Sequence, residues 1–188
     1  MKYSLNFLKK FIEIEDHKDL FSKLTNIGFN LEGFEEIGDD IIFELEITAN
    51  RPDLLSHFGL AREISAYLMK EIKNEKGIEI PVINKTDLFE IKIEDIKLCP
   101  RYSALFVEDL EIKPSPDWLK NQLEKIGIRA INNIVDISNY VLASIGHPTH
   151  PFDFDTISKN TIIVRVAKKG EKIKTLDGVE RTLNGQEL

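Results

Sequence analysis

Gly127 to Asp155 reads G-I-R-A-I-N-N-I-V-D-I-S-N-Y-V-L-A-S-I-G-H-P-T-H-P-F-D-F-D, and the reading of the chain turns on it. Ile131, Ile134, Val135, Leu142 and Ile145 recur at helical spacing, while Asn132, Asp136, Asn139 and Tyr140 fall on other sides. That pattern predicts an amphipathic helix from Ile131 to Ile145. Ser138 lies on the same stripe as Ile134 and Leu142, so the predicted buried face carries one polar gap. Two readings of the gap stay open: a small hydroxyl aimed into a pocket, or a serine bonding back to the carbonyl of Ile134. After Gly146 the helix cannot continue, because Pro148 and Pro151 fix their own φ and push the residues before them towards extended geometry. His147, His150, Asp153 and Asp155 therefore share a stiff loop, and loops held by a rigid scaffold are where sites are built.

Outward from this stretch, composition sets the bounds. With 188 residues, 42% hydrophobic and 30% charged, the chain can bury a core and suits one large domain or two small ones. Cys99 is the lone cysteine, which excludes an internal disulfide and disfavours a cysteine-based metal site, in keeping with a reducing compartment. No apolar run approaches the roughly 20 residues that span a bilayer, and the N-terminus lacks the layout of a signal peptide, so the expectation is a cytoplasmic protein with no membrane partner. The net charge of −7 belongs to the first half: residues 1–94 hold 19 acidic and 12 basic side chains, residues 95–188 hold 13 of each. An acidic half repels phosphate, which leaves no broad electrostatic footprint for nucleic acid. The one dense basic stretch, Arg165, Lys168, Lys169, Lys172 and Lys174, reads more readily as a solvated strand and turn than as a phosphate track.

In chain order, Ser4 reads as the N-cap of a short helix to Ile12, and a second helix runs near Lys18–Asn26 with Leu20, Phe21, Leu24 and Ile27 on its apolar face and Gly28 as its stop. Phe29–Ile37 and Ile41–Thr48 read as a hairpin closed at Gly38-Asp39-Asp40, with Phe43, Leu45 and Ile47 inward and Ile42, Glu44 and Glu46 outward. A third helix runs from Gly59 to about Met69. Arg51 and Asp53, flanking Pro52, are a candidate binding pair, with local hydrogen bonds at a turn and helix start the favoured reading. The polar stretch 76–85 is the expected linker, separating a domain over 1–75 from one over 86–188.

The second part opens with Leu88–Ile96 and Tyr102–Ile112 as predicted strands around Cys99-Pro100. Cys99 has no histidine or base beside it in sequence and reads as a small hydrophobe rather than a nucleophile. Ser115-Pro116 marks a helix start as N-cap and N1, with Trp118, Leu119, Leu123 and Ile126 towards the core. Thr161–Val166 is a β-branched strand, and Asp177-Gly178 closes a hairpin between Ile173–Leu176 and Val179–Leu183. The fold class is α+β: a small helical and hairpin N-terminal domain followed by a partial α+β domain.

The motifs L-E-I-T-A-N-R-P-D-L-L-S, G-L-A-R-E-I, C-P-R-Y-S-A, P-S-P-D-W-L, G-I-R-A-I-N-N-I-V-D-I-S-N-Y-V, G-H-P-T-H-P-F-D and T-L-D-G-V-E-R, in this order, resemble the bacterial phenylalanyl-tRNA synthetase β subunit. The resemblance covers nearly the whole chain. It implies that 1–75 is that subunit's first domain and that 86–188 begins its B3/B4 editing domain. Two departures follow from it. The oligonucleotide-binding fold that most bacterial members insert at the position of Gly38 to Asp40 is missing here, and the family's editing domain continues beyond the point matched by Leu188, through a glycine-rich segment and a glutamate that reads the tyrosine hydroxyl. The resemblance further implies an α-subunit partner in an α2β2 assembly, tRNA(Phe) as ligand, and ATP and Mg2+ as cofactors of the whole enzyme, bound by no residue of this chain.

A threonine and a histidine line the editing pocket in that family, and the matching positions are Ser138 and His150. Ser138 keeps the hydroxyl and lacks a methyl. For His150 two readings stand side by side: a neutral imidazole that bonds substrate or orients water, and a structural histidine satisfied by loop carbonyls. A metal cluster of His147, His150, Asp153 and Asp155 is disfavoured, because the prolines prevent helical presentation of the pair. Asp136 and Asn139 read as loop-fixing hydrogen-bonders. Besides a portion of the synthetase, the sequence allows a free-standing deacylase acting in trans and a non-catalytic scaffold module that packs against α-subunit or tRNA surfaces.

Overall fold

The computed structural model describes residues 1–73, 86–175 and 177–188. The expected linker at 76–85 lies outside the described residues. Contacts divide the chain into two compact units, Met1–Ile80 with Glu111–Pro151, and Pro81–Leu110 with Phe152–Leu188. Residues 111–151, grouped from the sequence with 86–188, thus pack with the N-terminal segment.

The first unit is built on a three-stranded antiparallel sheet of order β1-β3-β2, from β1 (Lys2–Ser4), β2 (Asn30–Ile37) and β3 (Asp40–Glu46). Tyr3 and Phe34 both pair with Phe43, so the central strand carries the aromatic spine of the core. β1 was not foreseen, since three residues give no periodicity to read. Ile42, expected outward, is buried with Phe43 and Leu45, because β3 is the central strand and both of its faces are covered in part.

Helices α1 (Leu5–Leu8), α2 (His17–Asn26) and α3 (His57–Leu68) complete the N-terminal segment. Each starts at a side-chain cap: Ser4 accepts from the Phe7 N–H, Asp16 from Lys18 and Ser56 from Gly59. α1 stops at Leu8 rather than Ile12, because the chain tightens into the three-residue bonds Lys10 N–H to Phe7 and Phe11 N–H to Leu8. Leu20, Phe21 and Leu24 of α2 and Leu60, Ala61 and Ile64 of α3 close over the sheet. Gly59 is obligatory here, since a Cβ would lie 1.8 Å from the Asp53 carbonyl oxygen. Arg51 forms a fork with Asp53 (3.0 and 2.9 Å) and reaches Glu63 at 2.8 Å, the local tie favoured from the sequence.

Onto this platform pack α4 (Asp117–Lys125) and α5 (Asn133–Ile145). Leu119 and Leu123 of α4 are buried, whereas Trp118 is 58% exposed, meeting the Tyr140 ring edge-on at 5.6 Å with the Lys10 ammonium 5.8 Å from its own ring centre. The helix cap is Pro116, and the Ser115 hydroxyl instead donates to Asp136. α5 begins two residues later than expected, at a cap from Asn132 to the N–H groups of Ile134 and Val135. Its orientation overturns the apolar-stripe reading. The fully buried residues are Asp136 and Ala143, with Tyr140 against the core, while Ile137, Leu142 and Ile145 are exposed. A polar residue takes the buried face because its hydrogen bonds are met there: Asp136 accepts from the Ile131 N–H at 2.9 Å and from the Ser115 hydroxyl.

In the second unit β4 (Glu90–Ile93) runs parallel to β5 (Thr161–Val164), and β6 (Lys172–Lys174) pairs antiparallel with β7 (Glu180–Thr182). The hairpin loop is wider than a two-residue turn, since Lys174 pairs with Glu180 and the Thr175 N–H bonds the Val179 carbonyl. Tyr102–Ile112 forms no strand. Asp109 adopts φ +59°, which no extended segment accommodates, and β-propensity without a partner ladder does not make a strand. Arg165 forms a two-bond pair with Glu171 and Lys172 pairs with Glu180 at 2.7 Å, so part of the basic stretch is internally neutralised. Among the described residues no helix is long and apolar enough to cross a membrane.

Candidate functional site

The N-terminal half of α5 and the loop after the helix border an open cavity of about 240 Å³ lined by Ile134, Ile137, Ser138, Thr149, His150 and Pro151. Ser138 and His150, paired in the sequence reading, therefore line one cavity. Its volume is below the ~300–1,000 Å³ of drug-sized pockets and in scale with a single amino-acid side chain. Three of its six lining residues are apolar: Ile134 and Ile137 come from the side of α5 turned away from buried Asp136 and Ala143, and Pro151 comes from the loop.

Ser138 Oγ lies 2.7 Å from the Thr149 carbonyl oxygen and 2.8 Å from Thr149 Oγ1. A hydroxyl has one proton, so Ser138 donates to the carbonyl and accepts from the Thr149 hydroxyl. This decides between the two readings of the polar gap: the serine faces the cavity and does not bond back to Ile134. Thr149 was missed from the sequence. The signal available was its position next to His150 between Pro148 and Pro151, where the backbone is stiff enough to present a carbonyl at a fixed place. The His150 ring forms no hydrogen bond within the described residues, so loop carbonyls do not satisfy it, and its nitrogens remain free to meet a bound molecule.

The loop departs from α5 through Gly146, which takes φ +77° and whose N–H bonds the Leu142 carbonyl. Asp153 caps the turn Phe154–Thr156 by accepting from the Asp155 N–H at 3.1 Å. Among the described residues there is no group of three or more His, Cys, Asp or Glu placed to hold a metal ion. Cys99 is a free, half-buried thiol whose Sγ lies 3.5 Å from the Arg101 carbonyl oxygen.

A second polar cluster lies in the core. Ser4, Asp40 and His57 are all buried, yet they do not form a nucleophile and its base. It is the Ser4 backbone N–H that meets His57 Nε2 at 3.0 Å, while the Ser4 hydroxyl donates to Asp40 at 2.6 Å. Asp40 also accepts from the N–H groups of Asn6 and Ile41, and Gln122 of α4 donates to Ser4 Oγ at 3.1 Å. His57 Nδ1 lies 2.8 Å from the Ala143 carbonyl on α5. With Nε2 accepting, the proton sits on Nδ1 and the ring is neutral. Burial pushes its pKa down to about 4, with Lys10 adding to the shift and the Ala143 carbonyl and Asp40 opposing it.

The lining of the cavity falls within a region that carries a recognisable domain. Residues 98–188 match the B3/4 domain, which defines the class: a chain with an N-terminal platform and a B3/4 module. Its relatives are more particular. The chain is 50% identical over 153 residues to the phenylalanine–tRNA ligase β subunit of Bdellovibrio bacteriovorus, covering 80% of this chain and 19% of that protein. Against the β subunits of Geobacter metallireducens and Thermotoga maritima it is 42% identical over 166 residues and 38% over 177, covering 87% and 94% of this chain and 21% and 22% of those proteins. An N-terminal fragment of the phenylalanyl-tRNA synthetase β subunit from Pyrococcus horikoshii shares 21% identity over 97% of this chain and 50% of that one, with a TM-score of 0.43. The resemblance carried by the sequence motifs is thus borne out: the chain is a relative of phenylalanine–tRNA ligase β subunits, and it spans about a fifth of their length.

Proposed function

We propose that the chain serves as the N-terminal portion of a cytoplasmic phenylalanine–tRNA ligase β subunit, and that the α5 cavity is where tyrosine wrongly esterified to tRNA(Phe) is hydrolysed. The carrying observation is the joint placement of Ser138 and His150 around one side-chain-sized cavity. The partners are then an α subunit, in an α2β2 assembly, and tRNA(Phe). ATP and Mg2+ serve the charging reaction, and no residue of this chain is assigned to either.

The chemistry calls for such a second site. A pocket selecting phenylalanine rejects an analogue that merely adds a hydroxyl by only about a hundredfold. Hydrolysis needs a water to attack the ester carbonyl carbon, while the ribose oxygen leaves and takes up a proton. Ser138 is not the nucleophile, because its proton is committed to the Thr149 carbonyl and His150 makes no hydrogen bond to it. Its part is to fix Thr149 and, with Thr149 and His150, to give the cavity a polar side opposite Ile134 and Ile137. His150, with both ring nitrogens unengaged, is the group that holds the attacking water or the substrate amine.

Ser138→Phe places a ring in a cavity of about 240 Å³ and should abolish Tyr-tRNA(Phe) deacylation by the assembled synthetase while charging with phenylalanine survives. His150→Ala should slow deacylation by about 10²-fold, the lower part of the range for a lost acid–base group. Wild-type deacylation rates in both variants would remove the cavity from the reaction.

A further inference from the structure

We propose that His57, the first residue of α3, is a positioning residue for this cavity: it seats the end of α5 and so fixes where the chain departs towards Thr149 and His150. The inference rests on the cavity being the hydrolytic site.

The last four carbonyls of a helix have no partner within it. In α5, which ends at Ile145, the Leu142 carbonyl is taken by the Gly146 N–H. The next one, Ala143, is buried and is met by His57 Nδ1–H at 2.8 Å. The imidazole cannot swing away. Its Nε2 is held by the Ser4 N–H at 3.0 Å, the Phe7 ring stacks on it at 4.2 Å, and the Tyr3 ring meets it edge-on at 5.4 Å. A second contact strengthens the seat. Gly146 adopts φ +77°, and a Cβ there would come within 3.3 Å of the Ser56 Cβ, so the turn leaving α5 rests directly on the residue before His57.

The remaining fastenings of α5 act elsewhere. Tyr140 stacks on Phe7 at 4.8 Å and bonds Lys10 at 2.9 Å, and Asp136 ties the first turn to Ser115. Ring stacking fixes the depth of a helix better than its place along its own axis. The directional bond to the Ala143 carbonyl resists the slide, since one residue of slippage moves the end by about 1.5 Å and turns it by about 100°. From Gly146 only His147 and Pro148 intervene before Thr149, whose carbonyl and hydroxyl hold Ser138. A displacement of the seat therefore reaches the cavity wall through a short, stiff link.

Two substitutions separate the bonds that His57 makes. In His57→Asn the amide nitrogen occupies the place of Nδ1 and keeps the donor to Ala143, losing the acceptor for Ser4. In His57→Gln the amide oxygen occupies the place of Nε2 and keeps the acceptor, losing the donor. In the assembled synthetase, His57→Gln should lower kcat for Tyr-tRNA(Phe) deacylation by at least about tenfold, and His57→Asn by less than about threefold, with phenylalanine charging unchanged in both. Equal deacylation by the two variants would reduce His57 to a core residue and overturn the inference. Hydrogen exchange on the full chain gives a readout independent of hydrolysis: amides of residues 145–150 should exchange faster in the Gln variant than in the Asn variant at matched global stability. If wild-type enzyme shows no deacylation, the hydrolytic reading fails and the exchange data alone decide the seat; equal exchange there would refute it.

Discussion

Acidification should weaken the first unit through His57 in a way that can be calculated. The unfolded imidazole titrates near 6.5, and burial holds the native one at about 4. The native pKa lies below the unfolded value, so the unfolded chain takes up the proton first, and the neutral ring's stability is whole above about pH 6.5 and is lost as pH falls towards 4. The full effect is about 3 kcal/mol, and the part lost between about pH 7 and pH 5 is about 2 kcal/mol. Protonation would also turn Nε2 from acceptor to donor against the Ser4 N–H, breaking the bond to β1. The assay is urea unfolding of the full chain at both pH values, followed by fluorescence of the single tryptophan, Trp118 on α4. His57→Gln removes the titrating group, so its stability should fall by about 2 kcal/mol less than wild type over the same interval. Parallel pH profiles in the two proteins would refute the buried, neutral histidine. The other histidines are present in both and cancel in the difference.

Gly59→Ala should destabilise the first unit by about 3 kcal/mol, the upper end of overpacking costs, because its methyl would overlap the Asp53 carbonyl; a denaturation midpoint within error of wild type would show that the turn at Pro52–Leu54 gives way freely. Asp136→Ala should cost about 1–3 kcal/mol, since it removes the buried carboxylate that ties the part-buried Ile131 N–H and Ser115 hydroxyl to the first turn of α5, with the loss read from thermal unfolding. Asn132→Ala removes the cap of α5 and should cost about 1 kcal/mol, measured in the same way. Ser138→Ala should keep the fold and free the Thr149 hydroxyl, seen as faster exchange in the loop at 147–151, and in the assembled synthetase it should reduce deacylation less than Ser138→Phe does.

What the sequence determined by itself was local or carried by motif order. Ser4 and Gly28 mark helix boundaries because cap and left-handed chemistry belong to single residues, and the hairpin at Gly38-Asp39-Asp40 follows from alternation around a turn. The ordered motifs pointed to the family and singled out Ser138 and His150 as positions to look at; that both line one cavity is visible only in the folded chain. The tertiary structure decided which face of α5 is buried. Counting apolar residues put Leu142 and Ile145 inside and Asp136 and Tyr140 on other sides; the fold exposes the first two, buries Asp136 and packs Tyr140 against the core, because Ser115 and Ile131 satisfy Asp136 and Phe7 stacks on Tyr140. None of those partners is near in sequence except Ile131. The same limit hid His57, whose importance lies in a bond to a carbonyl 86 residues away, and it produced a strand at Tyr102–Ile112 that has no neighbour to pair with. Periodicity reports how apolar a face is, and burial depends on what other parts of the chain bring to meet it.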